Sequence, residues 1–433
     1  MRKSLGAMLL LIGVVAVSVA SAQSLPSADP GEVGISTDRL QRIADALNRD
    51  IEDGQLPGAV VAVARNGLVV YFEAFGFLDK EAGIPMPKDA IFRIYSMTKP
   101  LTTVAAMILV EQGRLQLTDP VSKFFPTFSN LKVSIPKTDA SGNASYELVS
   151  AKREMTVHDL LRHTAGLAYG GITKNAAVRD AYIEAGLYAR GESLAERDMS
   201  AAEQIERFSR LPLIHQPGTV WEYSLATDVL GRVIEAVTGK RLGEFLEQYL
   251  FGPLKMTDTG FFVTPEQRSR VAEPLPINVA SGNPNNFIDV SQSPANDSGG
   301  GGGVSTAVDY LRFSQMLSNG GRLDGVQVLS PTSVALMTSD HLGDDIRLAF
   351  SPGAALFGSP GYTFGLGFGV REAAGMAALP GSAGEFMWAG WAGTFFWIEP
   401  KTRLVGILMS QGQGLRSHYR RLIKQLVDQA IVD

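Results

Sequence analysis

Leu40, Ile43, Leu47 and Ile51 recur at helical spacing in "STDRLQRIADALNRDIEDG", with Ser36 or Asp38 placed to cap the helix. The pattern then changes. "AVVAVA" and "LVVYFEAFGF" are β-rich runs separated by Arg65, Asn66 and Gly67, and an Asn-Gly step between two such runs predicts a hairpin. The far end has the same character. "YTFGLGFGV", "TFFWIEP" and "LVGILMSQ" read as strands, the last two joined by a turn at Pro400, Lys401 and Thr402, and a final helix is expected from about His418 to Ile431.

Between the ends the strand signals thin out. "ATDVLGRVIEAVTG" carries a helical stripe of Val229, Leu230, Val233, Ile234 and Val237, with Gly239 as its stop. "SMTKPLTTVAAMILVEQG" predicts a buried helix through Leu101, Val104, Ala105, Ile108 and Leu109, ended by Gly113. The pattern therefore predicts an α/β domain built from both ends (23–117 and 300–433) around a mostly helical insertion (118–299). A site is expected in the cleft between them. No internal repeat is visible. "SGGGGGVST" lacks the Gly-Lys-Ser/Thr of a phosphate loop, and "GLGFG" opens no helix, so both read as turns or places of close backbone packing.

The first 22 residues stand apart. "MRK" is a basic start, "LGAMLLLIGVVAVSV" an apolar stretch, and Ala20-Ser21-Ala22 a small-residue cleavage signature before Gln23. A membrane anchor is the alternative, but the apolar run is short for spanning. A signal peptide over 1–22 and a periplasmic or secreted destination are expected, with no stable membrane insertion after cleavage. Composition supports a globular enzyme: of 433 residues, 45% are hydrophobic and 19% charged. A net charge of −5 with no basic run argues against a nucleic-acid partner. The absence of cysteine excludes disulfides, a thiol nucleophile and Cys-ligated zinc. The five histidines form no His-Glu-x-x-His, and neither a metal nor a cofactor is expected. His163 reads as a loop-holding residue.

Candidate chemistry begins at "IYSMTKP". Ser-x-x-Lys occurs at Ser96 and Lys99, and again at Ser129/Lys132 and Ser134/Lys137, but only Ser96 opens an apolar helix. On a helix, residues three apart share a face, so the Ser96 hydroxyl and the Lys99 amine can meet. The helix N-terminus suits a developing oxyanion, and an apolar surround readies the amine to accept the Ser96 proton. A capping serine beside a solvated lysine is the competing reading. In "PGTVWEYSLATDVLG", Tyr223 precedes a helix, where its phenol can share proton transfer or simply pack. In "GEFMWAGWAGTFFW", small residues before Trp391 let backbone approach a ligand, so the N–H groups of Trp391 and Ser96 can form an oxyanion hole.

The order Ser-x-x-Lys, Tyr-x-x and a small-residue triplet on a late strand resembles the serine β-lactamase and penicillin-binding-protein superfamily. Within it the chain looks most like class C β-lactamases and the family VIII carboxylesterases. "LLRHTAGL", "PGTVWEYS", "LFGPLKMTDTGF", "GGGGGVSTAVDYLRFSQML" and "WAGWAGTFFWIEP" extend the likeness over nearly the whole chain. The resemblance implies an antiparallel sheet flanked by helices, Ser96 as nucleophile, Lys99 and Tyr223 as the proton-transfer pair, and Trp391 in the oxyanion hole. Two departures bear on substrate. Leu225 stands where the lactam-recognising members usually have Asn, and Trp388-Ala389-Gly390 where they have Lys-Thr-Gly. Tryptophan cannot pair with a substrate carboxylate as lysine does. Trp388, Ala389, Gly390 and Leu225 are thus expected to bind an apolar, uncharged ester. A β-lactamase, D-Ala-D-Ala carboxypeptidase or amidase on the same machinery is the alternative, and a non-catalytic binding protein a third. No Gly-x-Ser-x-Gly elbow is present to offer another esterase route.

Overall fold

The computed structural model describes residues 25–138, 144–187 and 195–433. The expected signal peptide lies outside the described residues. Helix α1 (Thr37–Glu52) starts where Ser36 accepts the Arg39 N–H in its side chain, and it buries Leu40, Ile43, Leu47 and Ile51. Strands β1 (Gly58–Arg65) and β2 (Leu68–Asp79) form the expected hairpin. Arg65 pairs with Leu68 across a two-residue turn with Asn66 at φ 57° and Gly67 at φ 81°. That is the left-handed pair a tight hairpin requires.

These strands belong to an eight-stranded antiparallel sheet. Its other members are β3 (Ile84–Pro85), β6 (Tyr362–Phe364), β7 (Gly369–Arg371), β8 (Phe386–Ala389), β9 (Phe395–Glu399) and β10 (Leu404–Ser410), in the order β6-β7-β8-β9-β10-β1-β2-β3. The chain ends meet at its centre, where β1 pairs with β10 from Ala59↔Ser410 to Arg65↔Leu404. Both are almost wholly buried because helices cover both faces. Alternation along β9 shows the two layers. The Phe396 ring lies 5.0 Å from Tyr310 of the helix Ala307–Ser318. Trp397, one residue on, lies under Lys424 of the C-terminal helix Arg416–Asp428.

One expectation is revised, and the middle segment holds one element that was not expected. "YTFGLGFGV" is not one strand but the hairpin β6–β7, turned at Gly367 with φ 82°. The middle segment carries a two-stranded hairpin besides its helices, β4 (Lys132–Thr138) with β5 (Ala144–Ser150). Val133 is buried, whereas Tyr146 and Leu148 are in solvent, Leu148 at 60% exposure, so the hairpin buries little of its apolar surface.

The C-terminal helix clamps both ends of β8. Arg420 donates to the Gly390 carbonyl at 2.6 Å. Lys424, fully buried, bridges Glu385 and Asp428, each at 2.8 Å. Lys424→Ala leaves two buried carboxylates facing each other and is expected to lower unfolding free energy by about 3–5 kcal/mol. Urea denaturation checks this; a loss below about 1 kcal/mol would show that the carboxylates find other partners.

Candidate active site

Ser96 sits in the middle of a 3₁₀ turn, Tyr95–Met97, that runs directly into α2 (Thr98–Glu111). It caps nothing, since neither element has a side-chain cap. The turn is braced from several sides. Ile94 N–H donates to Gly303 O, Thr98 Oγ1 to Tyr95 O at 2.6 Å, and Tyr310 OH to Met97 O at 2.8 Å. Tyr95 itself has φ 42°, a left-handed conformation that costs a residue with a Cβ roughly 1–2 kcal/mol. Its ring lies against Phe287 and Trp391, and its hydroxyl accepts the Ile288 N–H at 3.1 Å. The aromatic packing and this bond hold the strained residue that presents Ser96.

Lys99 stands one turn further on and is 1% exposed. Its Nζ donates to Gly300 O at 2.6 Å, Tyr169 OH at 3.0 Å and Ser96 Oγ at 3.4 Å. It lies over the rings of Tyr223, 4.8 Å to the centroid, and Tyr169, 5.4 Å. Among the described residues it makes no ion pair. A buried amine with no carboxylate beside it and a serine hydroxyl within reach is suited to proton transfer.

Tyr223 follows the short strand Val220–Trp221 and precedes α3 (Ala226–Thr238). Its ring packs between those of Tyr169, His163 and Trp388, at 4.9–5.3 Å. Its hydroxyl is buried with no partner among the described residues. Tyr169, which the sequence reading did not single out, is the tyrosine whose hydroxyl touches the amine. Nothing in its spacing separates it from the other tyrosines, because the contact spans 70 residues.

His163 has φ 55°, is buried, and shares a hydrogen bond through Nδ1 with Ser224 Oγ at 3.1 Å. Burial, and secondarily the Lys99 charge, hold its pKa well below the ordinary imidazole value. It is a neutral brace for the Tyr223 loop. The other Ser-x-x-Lys pairs are elsewhere: Ser129 bonds its own turn at Pro126 O, and Ser134 is bonded by Asn175.

The late-strand residues divide. Gly390 lies against the Ser96 turn so closely that a Cβ would fall on the Ile94 carbonyl. Trp391, next in sequence, is half-buried, and its N–H donates to no protein acceptor among the described residues. Trp388 and Leu225 are only 2% and 1% exposed. Trp388 packs on Tyr223 and Phe364, and Leu225 sits in the core at the start of α3. Ala389 is likewise buried at 3% exposure. Trp388 thus forms a wall against the Tyr223 ring. Trp391 and Phe287 are half-buried aromatics beside the Ser96 turn, with ring centroids 5.4 Å apart, and Tyr169 and Tyr223 are half-buried on the Lys99 side.

An antiparallel sheet between helical layers, with Ser-x-x-Lys at the start of a buried helix, defines the serine-acylating class of penicillin-recognising folds. The chain belongs to the Beta-lactamase family, whose model matches residues 40–429, and it is a serine hydrolase of that fold. It is 34% identical to Protein Rv1367c of Mycobacterium tuberculosis, over 83% of this chain and 86% of that one. It is 30% identical to Esterase EstB of Burkholderia gladioli, over 89% and 93%. Among solved structures it is similar to EstCE1, described as a hydrolase with promiscuous acyltransferase activity. The TM-score is 0.71 at 28% identity, covering 90% of this chain and 98% of the other.

Proposed function

We propose that the chain is an exported carboxylesterase for short-chain or apolar esters, working through an acyl-enzyme on Ser96. The observation that carries this reading is the buried Lys99 amine, without an ion-pair partner among the described residues, aimed at Ser96 Oγ. Ser96 Oγ attacks the ester carbonyl as its proton passes to the amine side. The tetrahedral oxyanion takes N–H bonds from Ser96 and Trp391, the ester C–O bond breaks, and the leaving alcohol collects the proton through a tyrosine hydroxyl. Water then repeats the sequence on the acyl-enzyme.

The substrate class rests on what faces the turn. No ammonium stands at position 388, so a substrate carboxylate lacks its partner there, which costs about 2 kcal/mol. Aromatic rings offer apolar contact instead. The names of EstB and EstCE1 support ester chemistry, and the latter's acyltransferase activity supports a second reading in which an alcohol replaces water at the second step.

Export is proposed on the N-terminal 22 residues. Protein recovered from periplasm or medium is expected to begin at Gln23 and to turn over p-nitrophenyl butyrate, with penicillin G neither hydrolysed nor stably bound. A folded preparation that is acylated by penicillin but inert to the ester would reverse the assignment. Added methanol yielding methyl butyrate would support the acyl-transfer reading.

A further inference from the structure

The glycine run after Ser298 has no chemistry of its own, yet it supplies the shortest hydrogen bond made by Lys99, at Gly300 O. What holds residue 300 is a carboxylate. Asp228 lies in the first turn of α3, 1% exposed and five residues after Tyr223. Its Oδ1 accepts from Gly300 N–H at 3.0 Å and from Ser298 Oγ at 2.6 Å, while Oδ2 has no partner among the described residues. Among the described residues Asp228 makes no ion pair. Buried carboxylates are normally paired.

The glycines let the loop lie between that acid and the amine. A Cβ at residue 300 would fall on the Asp228 carboxylate, and one at residue 303 on Thr98 Oγ1. Thr102 Oγ1 donates to Gly299 O at 2.9 Å, fixing the loop to α2 as well.

We infer that Asp228 is a positioning residue for the proton-transfer amine: acting through Gly300, it fixes Lys99 against Ser96. The inference rests on the reading of Ser96 and Lys99 given above. It also explains why the amine keeps its place without a carboxylate in contact. Gly300 carries the positioning from the acid to the amine, its N–H bonded to Asp228 and its carbonyl to Lys99.

The test is the pH dependence of p-nitrophenyl butyrate hydrolysis and the melting temperature, for the parent, Asp228→Asn, Gly300→Ala and Ser96→Ala. The groups around the pair are His163, Tyr169 and Tyr223 on the amine side, Arg232 on the helix of Asp228, and Arg420 behind Tyr223. All are retained in the Asp228 and Gly300 variants. Asp228→Asn is expected to keep KM and lower kcat about 100-fold, since small misplacement of a catalytic group has effects of that size. The pH profile of kcat/KM is expected to change as the amine loses its fixed place, which a purely structural loss would not produce. Gly300→Ala keeps the charge but pushes residue 300 off it. It should lower kcat with KM unchanged, and it decides the matter if Asp228→Asn does not fold. Parent-like kcat in both variants, with Ser96→Ala inactive, overturns the inference and leaves the nucleophile standing. So does a loss matched by a lower melting temperature with the pH profile unchanged. Activity retained in Ser96→Ala removes the underlying reading instead.

Discussion

Ser96→Ala is expected to abolish ester hydrolysis, lowering kcat/KM for p-nitrophenyl butyrate by at least about 10⁴-fold, the scale on which a serine nucleophile acts. The reason is local. Ser96 Oγ is the hydroxyl that Lys99 reaches in line with the start of α2. The neighbouring hydroxyl of Thr98 is already committed to Tyr95 O and the Gly303 N–H. The same variant should lose labelling by a fluorophosphonate, which forms a bond to an activated serine without needing any particular ester to fit. The two readouts separate the hypotheses. Turnover and labelling lost together identify Ser96 as nucleophile. Labelling of Ser96 in a parent that hydrolyses no ester leaves the machinery intact and moves the substrate to an amide or lactam. A folded parent that is never labelled is a binding protein. The fold should be insensitive to the change, because the Ser96 hydroxyl braces no element of the turn, so a shift of melting temperature is not expected.

Much of the scaffold was legible because its signals are local. Ser36 caps α1, Asn66-Gly67 turns the first hairpin, and Gly113 and Gly239 end their helices, each through bonds made within a few residues. The pairing of β1 with β10 was legible only as two similar chain ends, since register is set by partners more than 300 residues apart. The β4–β5 hairpin escaped because its apolar alternation is short, Val133 with Ile135 and Tyr146 with Leu148, and is interrupted by Pro136 and a polar run. At the site, Ser96 and Lys99 were readable from their shared helix. Tyr169 and the Gly300 carbonyl were not, since long-range folding brings them to the amine. The depth at which Trp388 and Leu225 lie was not legible either, since burial at the end of a strand or the start of a helix is set by the elements packed over it.

Tyr223→Phe is expected to lower kcat about 10³-fold with KM nearly unchanged, and Tyr169→Phe only about tenfold. The asymmetry follows from what each hydroxyl already does. Tyr169 OH is occupied by the Lys99 amine, so its loss removes one of three bonds and loosens the amine, which still holds Gly300 O and Ser96 Oγ. Tyr223 OH is buried and unpartnered among the described residues. An unmade hydrogen bond in the interior costs about 1–3 kcal/mol, and in the proposed mechanism the substrate supplies the partner. The leaving oxygen of the ester is such a partner, and a phenol beside an ammonium can deliver the proton it needs. Stability provides a second readout that a packing role would not give. Tyr223→Phe keeps the ring under Lys99 and against Trp388 while deleting the unpaired hydroxyl, so its melting temperature should hold or rise. Loss of activity together with unchanged or higher stability assigns the hydroxyl to chemistry. A larger loss in Tyr169→Phe than in Tyr223→Phe exchanges the two roles and makes the tyrosine bonded to Lys99 the one that carries the proton.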